Sequence, residues 1–319
     1  MIDFRYHVVS LVSVFLALAV GIVLGAGPLN EGISTGITDQ VNQLTEDRNQ
    51  MRTERDAALA TAESQDSWAE AVGPALVARQ LGGRAVAVVE LPGADASQTD
   101  AAVDELTSAG ATVSARVTVQ ESWIDPDEAA FRSQLAAQLA GQLTTVPDAS
   151  AGTDALLAAE LGRALLTTEL VPLAEPDTAG PAILSALTDG GLLEVDGDVS
   201  TRGTLVLLVG GAPDADATDD QVTANEATWT ALATGLDAAS AGAVLAGPTE
   251  AAEDGGPVAA VREDTDTANA VSTVDGLDTA IGRVSTVLAL RQQLSGESGQ
   301  YGTASSATAV SPPLPAAAQ

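Results

Sequence analysis

Cysteine and lysine are absent from this chain, and histidine occurs once, at His7. Without cysteine there are no disulfides and no thiolate metal sites, and the redox compartment cannot be read from thiols. A lone imidazole so close to the N-terminus leaves the rest of the chain without a Ser-His-Asp or Cys-His arrangement. All 13 basic residues are arginine, set against 44 acidic ones for a net charge of −31. No segment clusters enough positive charge to neutralise phosphates, which excludes nucleic-acid binding. The acid excess reads as a solvated, self-repelling surface that keeps the protein soluble. No P-loop is present, and Val209-Gly210-Gly211-Ala212 has a glycine pair after an apolar run without the dinucleotide-binding spacing. No catalytic, cofactor-binding or metal-ligating residue is assigned, and the chain reads as a non-enzyme.

One long hydrophobic run stands out. Val8–Ala26 carries no charge; as a helix it is about 28 Å long, close to the roughly 30 Å hydrocarbon core of a bilayer. Its Val, Leu, Ile and Phe side chains favour insertion by about 4 to 7 kcal/mol at most. A cleaved signal peptide fits less well: the first residues are weakly basic, the run is long, and cleavage after Ala26 would place bulky Leu24 where a small residue is wanted. The run is expected to remain as a single-span anchor. Arg5 before it, with Glu31 and Asp39 after it, predicts a cytoplasmic N-terminus and an extracytoplasmic body in the cell membrane.

The expected organisation is a stub and anchor over 1–30, a polar stalk helix over 31–70, an α/β head over 71–294 and a disordered tail over 295–319. Within the stalk, Ile37, Leu44, Met51 and Ala58 recur every seven residues, with Val41 on the same seam and Arg48 and Arg55 where the seam should continue. A short parallel coiled coil, hence a homodimer, is one reading. A stalk packing on nothing, or on its own head, is the other.

In the head, Ala85–Val89 is continuously apolar, as in a strand buried on both faces. Thr112–Val119 alternates apolar and polar residues, which predicts a half-buried edge strand. Asp125-Pro126-Asp127-Glu128 is a helix start. Further helices are expected over Asp154–Leu170, Asn225–Ala239 and Leu277–Leu294, with strands at Thr204–Val209 and Ala243–Ala246 and extended pieces at Val258–Val261 and Ala270–Val274. Strands alternating with helices imply a doubly wound, largely parallel α/β sandwich. Ligands of such folds sit at the carboxyl ends of the strands, which here carry Glu90, Asp95, Asp214, Asp216 and Glu250. A hard-cation site is conceivable there; solvated loop acids are the default.

Two segments carry a resemblance. Met1 to Leu29 (MIDFRYHVVSLVSVFLALAVGIVLGAGPL) and Ala270–Leu290 (AVSTVDGLDTAIGRVSTVLAL) resemble the actinobacterial copper-transporter family of the MctB type, and the element order between them fits. The resemblance implies an envelope protein of copper homeostasis or efflux. Some relatives look instead like partners of a membrane protein that controls peptidoglycan hydrolysis during division. The residues sit uneasily with direct copper handling. Cu(I) prefers Cys or Met sulfur and Cu(II) prefers imidazole, and the chain offers only Met1, Met51 and His7. No pair has ligand spacing, and His7 fits an interfacial residue beside Tyr6. A single span lined by Ser10 and Ser13 makes a poor pore, and the body lacks the strands of a β-barrel. Two functions follow: a copper-homeostasis component without a copper site in its head, or a non-enzymatic scaffold for a partner that regulates wall hydrolysis or division.

Overall fold

The computed structural model describes residues 4–25, 29–143, 147, 152–169, 178–199 and 201–314, with side chains of 29–38 excepted. The chain divides into two compact units, Met1–Gln65 and Asp66–Gln319. The first holds α1 (Phe4–Gly25) and most of α2 (Leu29–Val77). In α1 no residue is buried and the mean hydropathy reaches 2.7. An isolated helix that is apolar on every side belongs in lipid, where its backbone groups are satisfied internally. The uncharged run is therefore the candidate membrane-spanning helix, and its last residue, Ala26, lies outside the described residues. The polar helix after it is longer than expected, running on to Val77 through Pro74.

The second unit contains, in order, β1 (Ala85–Glu90), α3 (Ala96–Ser108), β2 (Thr112–Val119), α4 (Ala129–Leu139), α5 (Gly152–Leu165), α6 (Gly180–Asp189), β3 (Leu193–Asp196) and β4 (Leu205–Val209). It continues with α7 (Asp219–Ala238), β5 (Ala243–Gly247), α8 (Pro257–Glu263), α9 (Thr265–Ala270), β6 (Ser272–Asp275), α10 (Ala280–Gln293) and β7 (Gln300–Tyr301). The strands form one sheet in the order β3-β2-β1-β4-β5-β6-β7. Every pairing is parallel except β2 with β3. The chain starts in the middle of the sheet, winds outward one way, returns beside β1 and winds outward the other way. This is the expected doubly wound α/β fold.

Successive strand residues face opposite sides, so a strand apolar throughout feeds two cores. In β4, Leu205, Leu207 and Val209 meet α3 and α10, whereas Val206 and Leu208 meet the layer of α4 to α8. The end of α2 belongs to the first of these layers through Val77.

Three local expectations are corrected. The strand Thr112–Val119 is not an edge, because β3 pairs with it antiparallel; four residues of β3 are too few for an alternation to stand out. The apolar run Val258–Val261 is helical, within α8, where Gly256 and Pro257 supply the N-cap and first helical positions. A short apolar run has no period that separates a helix from a strand. The tail beyond Ser295 is not structureless: Gln300 and Tyr301 add the seventh strand. The final residues, 315–319, lie outside the described residues.

Candidate functional site: the strand ends and the β6 junction

The crevice where a doubly wound sheet binds ligands lies between β1 and β4 at their carboxyl ends. Here it is closed by backbone. Leu91 N–H donates to the Val209 carbonyl at 2.8 Å, and a Cβ on Gly211 would come within 2.0 Å of the Gly93 carbonyl oxygen. A Cβ on Gly210 would meet Pro257 at 2.5 Å. The glycine pair after β4 thus serves close loop packing, a use of glycine independent of any phosphate.

The carboxylates of these strand ends are separately engaged. Glu90 is buried and accepts from Arg116 at 2.6 Å, and Arg116 also pairs with Asp100 at 2.6 Å. That contact with Glu90, more than the one with Asp100, raises the guanidinium pKa. Asp95 caps α3, accepting from the Ser97 and Gln98 amides at 2.8 and 3.2 Å. Bonds from Ser97 and Gln98 hold its carboxyl below the ordinary value. Asp214 accepts from the Asp216 amide at 3.0 Å, and Glu250 lies exposed on a short 3-10 turn, Thr249–Ala252. Among the described residues, no three His, Cys, Asp or Glu side chains come together as a metal site. His7 lies on α1 and Met51 on α2, both exposed; Met1 lies outside the described residues.

The most connected polar cluster is at the end of β6. Asp275 and Arg262 form an ion pair at 2.9 Å with side-chain exposures of 0% and 3%. The other Asp275 oxygen accepts from the Thr303 and Ala304 amides at 2.6 and 3.1 Å. Arg262 also donates to Thr273 Oγ1 (2.8 Å), Ser306 Oγ (2.9 Å) and the Tyr301 carbonyl (2.7 Å). Burial pulls the Arg262 guanidinium down, and Asp275 opposes that shift. Gly302 has φ +132, and a Cβ there would fall 2.1 Å from Asp275 Cγ. The Asp275 carboxylate is thus a clasp, holding residues 300–306 against the sheet.

The same stretch receives the end of α2. The Ala280 amide, at the start of α10, donates to Asp66 at 2.6 Å. Arg283 approaches Glu70 at 3.8 Å and donates to the Asp278 carbonyl at 3.1 Å. Gly73 lies against Val284, where a Cβ would sit at 3.0 Å. Gly282 allows α10 to touch the Gly276 carbonyl, 1.9 Å from where its Cβ would be. The segment STVDG…TAIGR therefore joins four things: β6, α10, the end of α2 and the C-terminal clasp. Sequence reading singled out this segment without finding chemistry in it, because its work is architectural.

Two features had no sequence signal. A groove of about 1240 Å³ runs along α5, α7 and α8, lined by Ala159, Ala231 and Gly235 together with Arg163 and Glu263. Inside α5, Glu160 is fully buried, and neither carboxylate oxygen has a hydrogen-bond partner among the described residues. Burial pushes its pKa up to about 8, so it is protonated at neutral pH.

These observations define a membrane protein with one N-terminal apolar helix and a doubly wound α/β head. A family model described as copper transport outer membrane protein, MctB, matches residues 1–312. "Copper transporter MctB" of Mycobacterium tuberculosis is 31% identical over 97% of this chain and 99% of its own length, as is that of Mycobacterium bovis. The Mycobacterium leprae protein of the same name is 28% identical over 98% of this chain and 100% of its own. The chain belongs to the MctB copper-transporter family.

Proposed function

We propose that the chain is a non-enzymatic component of copper homeostasis in the cell envelope, acting through a protein partner instead of a copper site in its head. The relatives are named for copper transport, and that role comes to this chain by family. The carrying observation is the donor inventory: no cysteine, one histidine in α1, and two methionines, Met1 and, on α2, Met51, against a head supplied with hard carboxylates that discriminate poorly for Cu(I). The N-terminus is cytoplasmic, the head is extracytoplasmic, and the anchor remains in the mature protein. The protein is a homodimer in the membrane. The same inventory favours a second reading, in which the partner regulates peptidoglycan hydrolysis or division and any copper phenotype is indirect.

Competition against a Cu(I) chelator of known affinity tests the first reading. The head should take up no stoichiometric Cu(I); sub-micromolar binding would overturn the partner-based reading. Capture of the membrane-tethered protein with its neighbours separates the two partner classes.

A further inference from the structure

The exposed stretch of α2 carries an interface that its own sequence completes. Between Asp39 and Gln65 every residue is exposed, including Val41 (54%), Leu44 (65%), Met51 (69%) and Leu59 (54%). A solitary helix gains nothing from aligned apolar residues in water, so the stripe is an unpartnered face. The two arginines in it, Arg48 and Arg55, are what argues against a simple apolar seam, and their neighbours resolve the difficulty.

We infer that residues 41–62 of two copies pair as a parallel coiled coil, with Val41, Arg48, Arg55 and Ala62 at a positions and Leu44, Met51 and Ala58 at d positions. In a parallel pair, each a side chain packs beside the partner's preceding g residue. Those g residues are Asp47 and Glu54. Arg48 then meets Asp47 of the other copy, and Arg55 meets Glu54. Asp47, at g, also faces Arg52, which occupies the next e position. Each buried-seam arginine acquires a carboxylate, and each pairing occurs twice by symmetry.

The charge distribution supports a second copy as occupant. The whole chain carries −31, which resists self-association. Yet Arg48, Arg52 and Arg55, three of its 13 arginines, lie in this short window together with Glu46, Asp47, Glu54 and Asp56. Three positive against four negative charges leave −1, so the repulsion is locally removed where the seam runs. In the single chain Arg55 pairs with the adjacent Asp56 at 2.6 Å, with both side chains more than 60% exposed. Such surface pairs are worth little, so Arg55 exchanges Asp56 for Glu54 of the partner at small cost. The seam stops near Ala62 because Asp66, Glu70 and Gly73 are engaged by α10. The inference rests on the anchored reading above, since two anchors inserted the same way set the helices parallel and raise their local concentration.

The absence of cysteine makes the test clean. Met51→Cys (a d position) and Thr53→Cys (an f position) are introduced separately into the full-length chain, and washed membranes are oxidised with diamide. Met51→Cys should form a disulfide dimer at least fivefold more than Thr53→Cys. Equal cross-linking, none, or a Met51→Cys adduct with a different protein would overturn the self-pairing. Loss of the chain from the membranes on high-salt washing would instead sink the anchored reading. In the Met51→Cys background, Glu54→Arg or Arg55→Glu alone should lower the dimer roughly tenfold, and the two together should restore it. Failure of the double exchange to restore would overturn the register.

Discussion

At the scale of single residues, two buried carboxyls, Asp275 and Glu160, behave in opposite ways. Arg262 and Asp275 are each other's compensation, so removing one strands the other. Asp275→Ala should cost about 3 to 5 kcal/mol in unfolding free energy, the usual consequence of leaving a buried charge unpaired, and chemical denaturation of the Asp66–Gln319 fragment measures it. Glu160 has no such partner among the described residues. Its folded pKa, near 8, stands above that of the unfolded chain, so the folded state holds the extra proton between roughly pH 4.5 and 8. Stability from this group is fully present below about pH 4.5 and is lost as pH rises through 8, by a few kcal/mol in total. Denaturation midpoints measured from pH 5 to 9 should fall in the native fragment and flatten in Glu160→Gln. An unchanged slope in that variant would show that the carboxyl is solvated.

At the scale of elements, what could be read early depended on how far a local pattern extends. β1 and β4 were legible because a strand buried on both faces is apolar throughout, and the helix expected over Leu277–Leu294 is α10, which starts three residues later at Ala280. β3 was not, because four residues with Glu194 and Asp196 on one side look like loop. The C-terminal segment misled for a different reason. Its Gly, Ser and Ala content is that of a chain unable to bury enough surface to order itself, yet its order comes from Asp275, more than twenty residues away. Composition of the segment alone cannot contain that contact. Of the strand-end acids, Asp95, Asp214, Asp216 and Glu250 follow their strands as expected, whereas Glu90 is the buried last residue of β1, paired with Arg116, and not a solvated loop acid. Truncation after Ser298 removes β7 and the clasp, exposing Arg262 and the edge of β6. That shortened chain should lose several kcal/mol of stability and become prone to strand-edge aggregation, visible as a lower melting temperature and light scattering at micromolar concentration.

At the scale of the whole molecule, the family's name and the chain's donors have to be reconciled. A single apolar helix cannot line a channel by itself, and the head brings oxygen donors to a metal that favours sulfur or imidazole. Those facts constrain any copper role to one of three places: the head, the anchor and stalk, or a second protein. Equilibrium competition with full-length protein in detergent, run beside the Asp66–Gln319 fragment, separates them. The expected outcome is no sub-micromolar Cu(I) binding by either species, which assigns the ion to a partner. Binding by the full chain alone, abolished in His7→Ala or Met51→Leu, would move the site to α1 or α2 and make the membrane helix part of the copper path. Even then Met1, Met51 and His7 are the chain's whole supply of sulfur and imidazole. Binding by the fragment itself would overturn the partner-based reading, because it would require carboxylates to outcompete a soft-donor chelator. The same titration with Cu(II) provides an internal control: weak, salt-sensitive binding in proportion to the acidic surface is expected from a chain of net charge −31.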